Sequence, residues 1–264
     1  MLGTVADAED IVQETFLRWQ QTDASNVENP RAFLSTVATR LAIDKLRAAQ
    51  TRREDYVGAW LPEPLVGRDS EDRLILHESL SIAFMVLLGH LSPVERAVYL
   101  LREIFDYEYS EIAAIVDKNE AACRQIVKRA KQHIVERRPR FHVDRGQKET
   151  MVQRFMHACQ SGDVRAFMEL LSPDAVLTSD GGGKVTAARK PILGADKISR
   201  FIFGLLRKAP QGTALQMQFV NGEPGLVTTI DGEIHNVIAF DMAGGQIQGI
   251  YIVVNPDKLT RVSN

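Results

Sequence analysis

At Pro139 the chain changes texture, and that change limits the folds open to it. Beyond it, four strand-like runs follow one another at hairpin spacing: Leu215–Val220, Gly225–Ile230, Glu233–Asp241 and Ile247–Val254. The breaks between them carry Asn221-Gly222, Asp231-Gly232 and Gly244-Gly245, residues suited to the left-handed backbone of tight hairpin turns. Short helical patterns lie ahead of the strands. Thr150–Cys159 and Val164–Leu171 are joined at Ser161-Gly162-Asp163; a strand candidate at Ala175–Thr178 and a helix over Ala195–Lys208 follow. Helices leading into a four-stranded meander predict an α+β domain over residues 150–264.

Before Pro139 the rhythm is helical. Ala8, Val12, Phe16 and Trp19 form one apolar stripe over Ala6–Gln20, with Ile11 beside it. Asp7, Glu9 and Asp10 occupy the first turn, where carboxylates suit the helix dipole. After a polar loop, Gln21–Asn29, Pro30 opens a second amphipathic helix through Phe33, Leu34, Val37, Leu41 and Leu46 to about Arg53. Residues 56–76 then break the pattern. Trp60-Leu61-Pro62-Glu63-Pro64 cannot be helix interior, because each proline removes a donor and restrains its predecessor. That stretch reads as an extended linker, and its Trp60 and Leu61 require an apolar surface to dock on.

An apolar helix over Leu76–Leu91 precedes Ser92, which with Pro93 and Glu95 forms a capping-box start for a helix to about Phe105. Next come Tyr109–Val116, a turn at Asp117-Lys118-Asn119, and a basic helix from Glu120 to about Arg138. With small Ala113 at the crossing, these two describe a helix-turn-helix, and the turn asks Asp117 for a positive φ. Pro139 ends the basic helix, and residues 139–149 read as a polar hinge.

The net charge is -2, which taken alone argues against a nucleic-acid partner. Counted by segment it alternates. Residues 1–28 hold one base and six acids, and residues 31–53 six bases and one acid. Residues 54–117 hold four bases and thirteen acids, residues 118–148 ten bases and three acids, and the remainder is nearly balanced. Two basic segments between acidic stretches are what a protein touching a polyanion at two places would show; solvated helix faces are the plainer reading.

If Glu120–Lys131 enters a major groove, Ala121, Arg124, Gln125 and Lys128 share one face. Arg and Gln forks fit guanine and adenine edges. Arg129 and Lys131, with His133, are better placed for phosphates. A helix hairpin with a solvated basic face is the alternative. Cys123 and Cys159 show no metal or redox spacing, which favours a reducing compartment. The longest run without Asp, Glu, Lys or Arg, Ser79–Val94, is 16 residues and too short to span a bilayer. No signal peptide is visible at Met1–Asp10, and a cytoplasmic protein is expected. The Gly181–Lys184 stretch lacks phosphate-loop spacing, and a glycine-rich loop packed against another part of the protein is expected instead.

Three stretches carry a resemblance: Asp7-Ala8-Glu9-Asp10-Ile11-Val12-Gln13-Glu14-Thr15-Phe16-Leu17, Ala42-Ile43-Asp44-Lys45-Leu46-Arg47, and the Ser92–Lys131 helix-turn-helix. In this order they resemble regions 2 and 4 of a bacterial sigma factor of the extracytoplasmic-function type. Trp60-Leu61-Pro62-Glu63-Pro64, Asp180-Gly181-Gly182-Gly183-Lys184 and Asn255-Pro256-Asp257-Lys258-Leu259 resemble a narrower group with a SnoaL-like domain fused after region 4. The resemblance implies region 2 over 1–55, a linker over 56–76, region 4 over 77–138, a hinge over 139–149 and a cone-shaped α+β SnoaL-like domain over 150–264. It also implies a region 2 one helix short, since members normally carry a further helix before the position of Met1.

By the same resemblance, Asp10, Gln13 and Glu14 face core RNA polymerase. Arg31, Arg40, Lys45, Arg47, Arg52 and Arg53 lie on the helix that reads and melts the −10 element, and the Gln21–Asn29 loop lies where a flipped base is captured. Ala121, Arg124, Gln125, Lys128, Arg129 and Lys131 serve the −35 element. Trp60, Leu61, Pro62, Asp180–Lys184 and Asn255–Leu259 form a regulatory contact acting in cis.

The implied partners are core RNA polymerase and promoter DNA, with no membrane, cofactor or metal and no enzymatic role. The cone pocket leaves room for a small ligand. A second reading makes the C-terminal domain a ligand-binding or catalytic module with a DNA-binding arm, using His157, His235, Asp231 or Asp241. His235 and Asp241, an even number apart on one strand, would share a face. A third is a decayed sigma factor with little activity.

Overall fold

The computed structural model describes residues 1–23, 25, 27–54, 56–67, 81–135 and 144–262, except the side chains of residues 51–54 and 135. The chain divides into two compact units, Met1–Asp55 with Leu87–Arg138 and Tyr56–Val86 with Pro139–Asn264. The segment read as a linker is therefore part of the second unit.

The first unit is helical. It holds α1 (Val5–Gln21), α2 (Pro30–Glu54), the end of α3 (Ile82–Gly89), α4 (Pro93–Glu103), α5 (Tyr109–Val116) and α6 (Glu120–Val135). Helix α3 starts later than the apolar run suggests: Ser81 is non-helical and its Oγ accepts from the Phe84 N–H at 3.2 Å. A serine hydroxyl that fills an orphan donor marks the first turn more sharply than hydropathy does. Residues 76–80, where the start was expected, lie outside the described residues, as do residues 136–143, which hold the end of the basic helix and the start of the hinge.

Helix α4 opens as expected, with the Ser92–Glu95 capping box formed in both directions. Helices α4, α5 and α6 close over Val98, Leu101, Ile112, Ala113, Ile115, Cys123, Ile126 and Val127. Asp117 takes a left-handed φ of 53° between α5 and α6, the turn that the helix-turn-helix requires.

Helix α1 corrects one expectation. Its supposed core stripe faces outward, with Val12 68% and Phe16 57% exposed, while Thr15 is buried. Thr15 can go inside because its hydroxyl donates to the Ile11 carbonyl at 2.7 Å. Trp19 packs on Phe33 of α2, ring centres 5.8 Å apart.

The second unit is an α+β body. Its seven-stranded sheet has the order β1-β4-β5-β6-β7-β2-β3. The expected meander is β4 (Thr213–Val220), β5 (Glu223–Ile230), β6 (Glu233–Ala243) and β7 (Gln246–Val253). Three strands are added to it: β1 (Val66–Gly67) from the linker, β2 (Leu171–Asp180), which runs parallel to β7, and β3 (Ile192–Leu193). Helix α7 (Arg145–Ser161) begins inside the expected hinge, because Asp144 caps it through the Gly146 N–H. Helices α8 (Val164–Leu170) and α9 (Ala195–Leu206) complete the layer.

Alternation along the strands sorts the core into two layers. Leu226, Ile238, Phe240, Ile250 and Ile252 face the helices, together with Phe155 and Phe167. Val220, Val227, Val237, Ala239 and Val253 face the other way, and Leu61 and Ile82 cover them. The sheet thus has its own helices on one face and the linker on the other. No helix among the described residues is long and apolar enough to cross a membrane.

Candidate polymerase, promoter and linker interfaces

The recognition helix α6 sorts its residues as a groove-reading helix must. Cys123, Ile126, Val127 and Ala130 point inward, whereas Ala121, Arg124, Gln125, Lys128, Arg129 and Lys131 are exposed. Arg124 is held ready rather than free. It pairs with Glu120 at 2.7 Å and lies over the Tyr109 ring, 4.8 Å from its centre. Lys131 is tied to Glu103 at 2.7 Å. Burial raises the Cys123 thiol, which leaves it a core residue.

The basic helix α2 is less uniform. Lys45 sits between Asp7 and Asp10 of α1 at 2.9 and 3.1 Å, and these hydrogen bonds raise its pKa. A candidate −10 residue and a candidate polymerase residue thus tie the two helices together. Arg47 pairs with Asp44 at 3.1 Å. Arg40 donates to the Ile115 carbonyl at 2.9 Å and the Ala114 carbonyl at 3.1 Å, and Arg31 stacks on Tyr107. The side chains of Arg52 and Arg53 lie outside the described residues. On α1, Asp10 and Gln13 are exposed and Glu14 is half-buried, beside the outward-facing Val12, Phe16 and Leu17. Periodicity finds that apolar stripe but not its direction.

In the second unit the three short motifs meet. Asp180 is fully buried and Lys258 nearly so. Their ion pair is 2.7 Å, and Lys258 Nζ also donates to the Leu61 carbonyl at 2.5 Å. The Leu61 N–H donates to Asp180 Oδ2 at 2.9 Å. Trp60 lies over the ammonium at 4.1 Å, adding a cation–π contact. Pro62 is buried, and Leu61, Leu259 and Val262 share one apolar layer.

Tyr56, which the motifs do not include, donates to Asp180 Oδ1 at 2.6 Å and accepts from Asn255 at 3.0 Å. Burial, then the Asp180 carboxylate, pushes its phenol well above the usual range. Asn221 was also missed except as a turn residue. Its Oδ1 accepts from the Leu65 N–H at 2.9 Å, and its own N–H donates to the Leu65 carbonyl at 2.7 Å.

The glycine loop behaves as a packing element. A Cβ on Gly182 would meet Asn255 at 2.4 Å, and one on Gly183 would meet Val57 at 3.2 Å. Lys184 pairs with Asp257 at 2.7 Å on the surface, beside exposed Pro256. An open cleft of about 280 Å³ lies alongside, lined by Val57, Gly58, Ser179, Lys184, Thr186 and Arg189.

The catalytic candidates do not converge. His157, His235 and Asp231 are exposed, and Asp231 has φ 51° at its hairpin turn. A register shift between Thr228 and Thr229 puts Ile234 in the same layer as Val237, so even spacing does not carry a shared face from His235 to Asp241. Phe155 packs on Phe167 and Phe240, ring centres 4.9 and 5.0 Å apart, and fills the space between helices and sheet. Burial pushes the Cys159 thiol up to about 12, which leaves it unreactive.

Two helical modules, one with an exposed basic helix and one a helix-turn-helix, define a bipartite DNA-binding protein with an appended α+β domain. Residues 1–52 match the model for sigma-70 region 2, and residues 81–134 that for sigma-70 region 4. The chain is 38% identical to the ECF RNA polymerase sigma factor SigJ of Mycobacterium tuberculosis, over 98% of this chain and 88% of that one. It is 30% identical to the probable sigma factor SigI of that organism, with the same coverage. The crystal structure of SigJ superposes with a TM-score of 0.80 at 36% identity, covering 98% of this chain and 91% of the other. The chain belongs to the extracytoplasmic-function sigma factors, in the group with a fused SnoaL-like domain. Its relatives of that class are transcription factors rather than enzymes.

Proposed function

We propose that the protein recruits core RNA polymerase to promoters with separate −35 and −10 elements, working on the nucleoid while bound to polymerase. The outward side-chain set of α6 carries this reading: Arg124, Gln125 and Lys128 offer base-reading groups, with Arg129 and Lys131 at the phosphates. On α2, Arg31, Arg40, Lys45 and Arg47, with Arg52 and Arg53, serve the −10 element. Asp10, Gln13 and Glu14, together with Val12 and Phe16, meet polymerase.

Regulation in cis acts through the linker. The Asp180–Lys258 pair holds the backbone of Leu61 from both sides, and the domain thereby fixes the segment that joins the two promoter-reading modules. No catalytic step is assigned to the domain. The cleft beside the glycine loop supports a small-ligand role better than the filled core does.

Mixing the full-length protein with core polymerase and a library of −35/−10 promoters tests the reading. Selection of one promoter class supports it; failure to bind core polymerase overturns it.

A further inference from the structure

The first unit contains a contact that a promoter-bound sigma factor cannot keep. The Arg40 guanidinium donates from Nε to the Ile115 carbonyl at 2.9 Å and from Nη2 to the Ala114 carbonyl at 3.1 Å. Those carbonyls end α5, the first helix of the helix-turn-helix, and have no helical partner of their own. A cation at a helix C-terminus also meets the negative end of its dipole. Nearby, the Ser35 hydroxyl is 2.5 Å from the Tyr107 hydroxyl, and the Arg31 guanidinium lies 5.7 Å from the Tyr107 ring centre. Two candidate −10 residues of α2 are therefore engaged by the −35 module.

The scale of a promoter makes this arrangement exclusive. The −10 and −35 elements lie roughly 25 base pairs apart, about 85 Å of duplex at about 3.4 Å per base pair. A compact body of about a hundred residues is roughly 35 Å across. With α2 bonded to the end of α5, the unit can occupy one element but not both.

We propose that this packing is an autoinhibitory latch: Arg40, Ser35 and Tyr107 hold the −10 helix against the helix-turn-helix, and promoter engagement requires their release. The latch rests on the promoter-reading assignment of α2 and α6. It differs from the linker clasp, because every residue in it belongs to the first unit.

The test uses full-length Ser35→Cys/Tyr107→Cys protein joined by a short bismaleimide; Cys123 and Cys159 are buried and stay unmodified. Run-off transcription with core polymerase on a −35/−10 promoter should fall at least about tenfold on cross-linking, relative to the same protein capped with a monofunctional maleimide. Tyr107→Phe, which removes only the hydroxyl, should raise run-off at limiting protein about fivefold, the worth of one hydrogen bond. Labels at Gln50→Cys and Gln132→Cys should report a short separation in the free protein that lengthens by tens of ångströms in the promoter complex. Undiminished run-off from the cross-linked protein, or an unchanged separation on the promoter, overturns the latch. If the promoter-reading assignment is at fault, the wild-type protein itself gives no promoter-specific transcript, and the latch falls with it.

Discussion

Asp180 and Lys258 form an ion pair 2.7 Å long, 78 residues apart in sequence, with both side chains out of water. A buried pair gains little over an apolar replacement, but breaking it strands a charge. Lys258→Met should therefore cost the second unit about 3–5 kcal/mol, read as a lower urea midpoint. The double variant Asp180→Asn/Lys258→Met should recover part of that loss. Equal stability of the single and double variants would contradict the stranded-charge account.

Tyr56 predicts an alkaline limb. Its phenol is raised in the folded protein, so the stability it contributes is present below the unfolded value near pH 10 and is lost as pH rises above it. Tyr251 is raised too, by burial and then Asp241, and adds a similar loss. Titrating wild type and Tyr56→Phe side by side isolates the Tyr56 share. The variant should be less stable at neutral pH, and the gap should narrow above pH 10. A constant gap would show that the hydroxyl does not titrate against Asp180.

Much of this architecture was legible in residue types, and the exceptions have physical causes. The capping box at Ser92–Glu95 and the left-handed Asp117 are local, so a single turn of sequence specifies them. Asn221-Gly222 was legible as a hairpin, yet its hold on Leu65 depends on a partner 156 residues away. The parallel pairing of β2 with β7 was hidden because Ser172-Pro173-Asp174 interrupts the strand's alternation and its register shifts there. Among site residues, α6 was legible because half of that helix faces a core of its own module. Helix α1 was not, since an apolar stripe reads alike whether it covers a core or awaits a partner. Tyr56 escaped notice because it lies just ahead of the Trp60–Pro64 motif that it helps to anchor.

On α6, base and phosphate roles separate by substitution. Arg124→Ala should relax discrimination at one −35 position by about 1–3 kcal/mol, whereas Arg129→Ala should weaken binding evenly and reduce the salt slope by about 1. Competition among promoter variants at two or more salt concentrations reads both. Uniform weakening by both substitutions would contradict the assignment.

The exposed stripe on α1 gives the sharpest separation of binding from folding. Phe16 is 57% exposed and Val12 68%, so Phe16→Ala removes little native packing and should leave the melting temperature within a degree or two. If that ring is buried against polymerase, its loss should cost about 1.5–3 kcal/mol of association, roughly a ten- to hundredfold weaker complex with the core enzyme. Binding of the variant to a −35 duplex, which involves the other module, should be unchanged. An affinity for core polymerase equal to wild type would move the contact off α1.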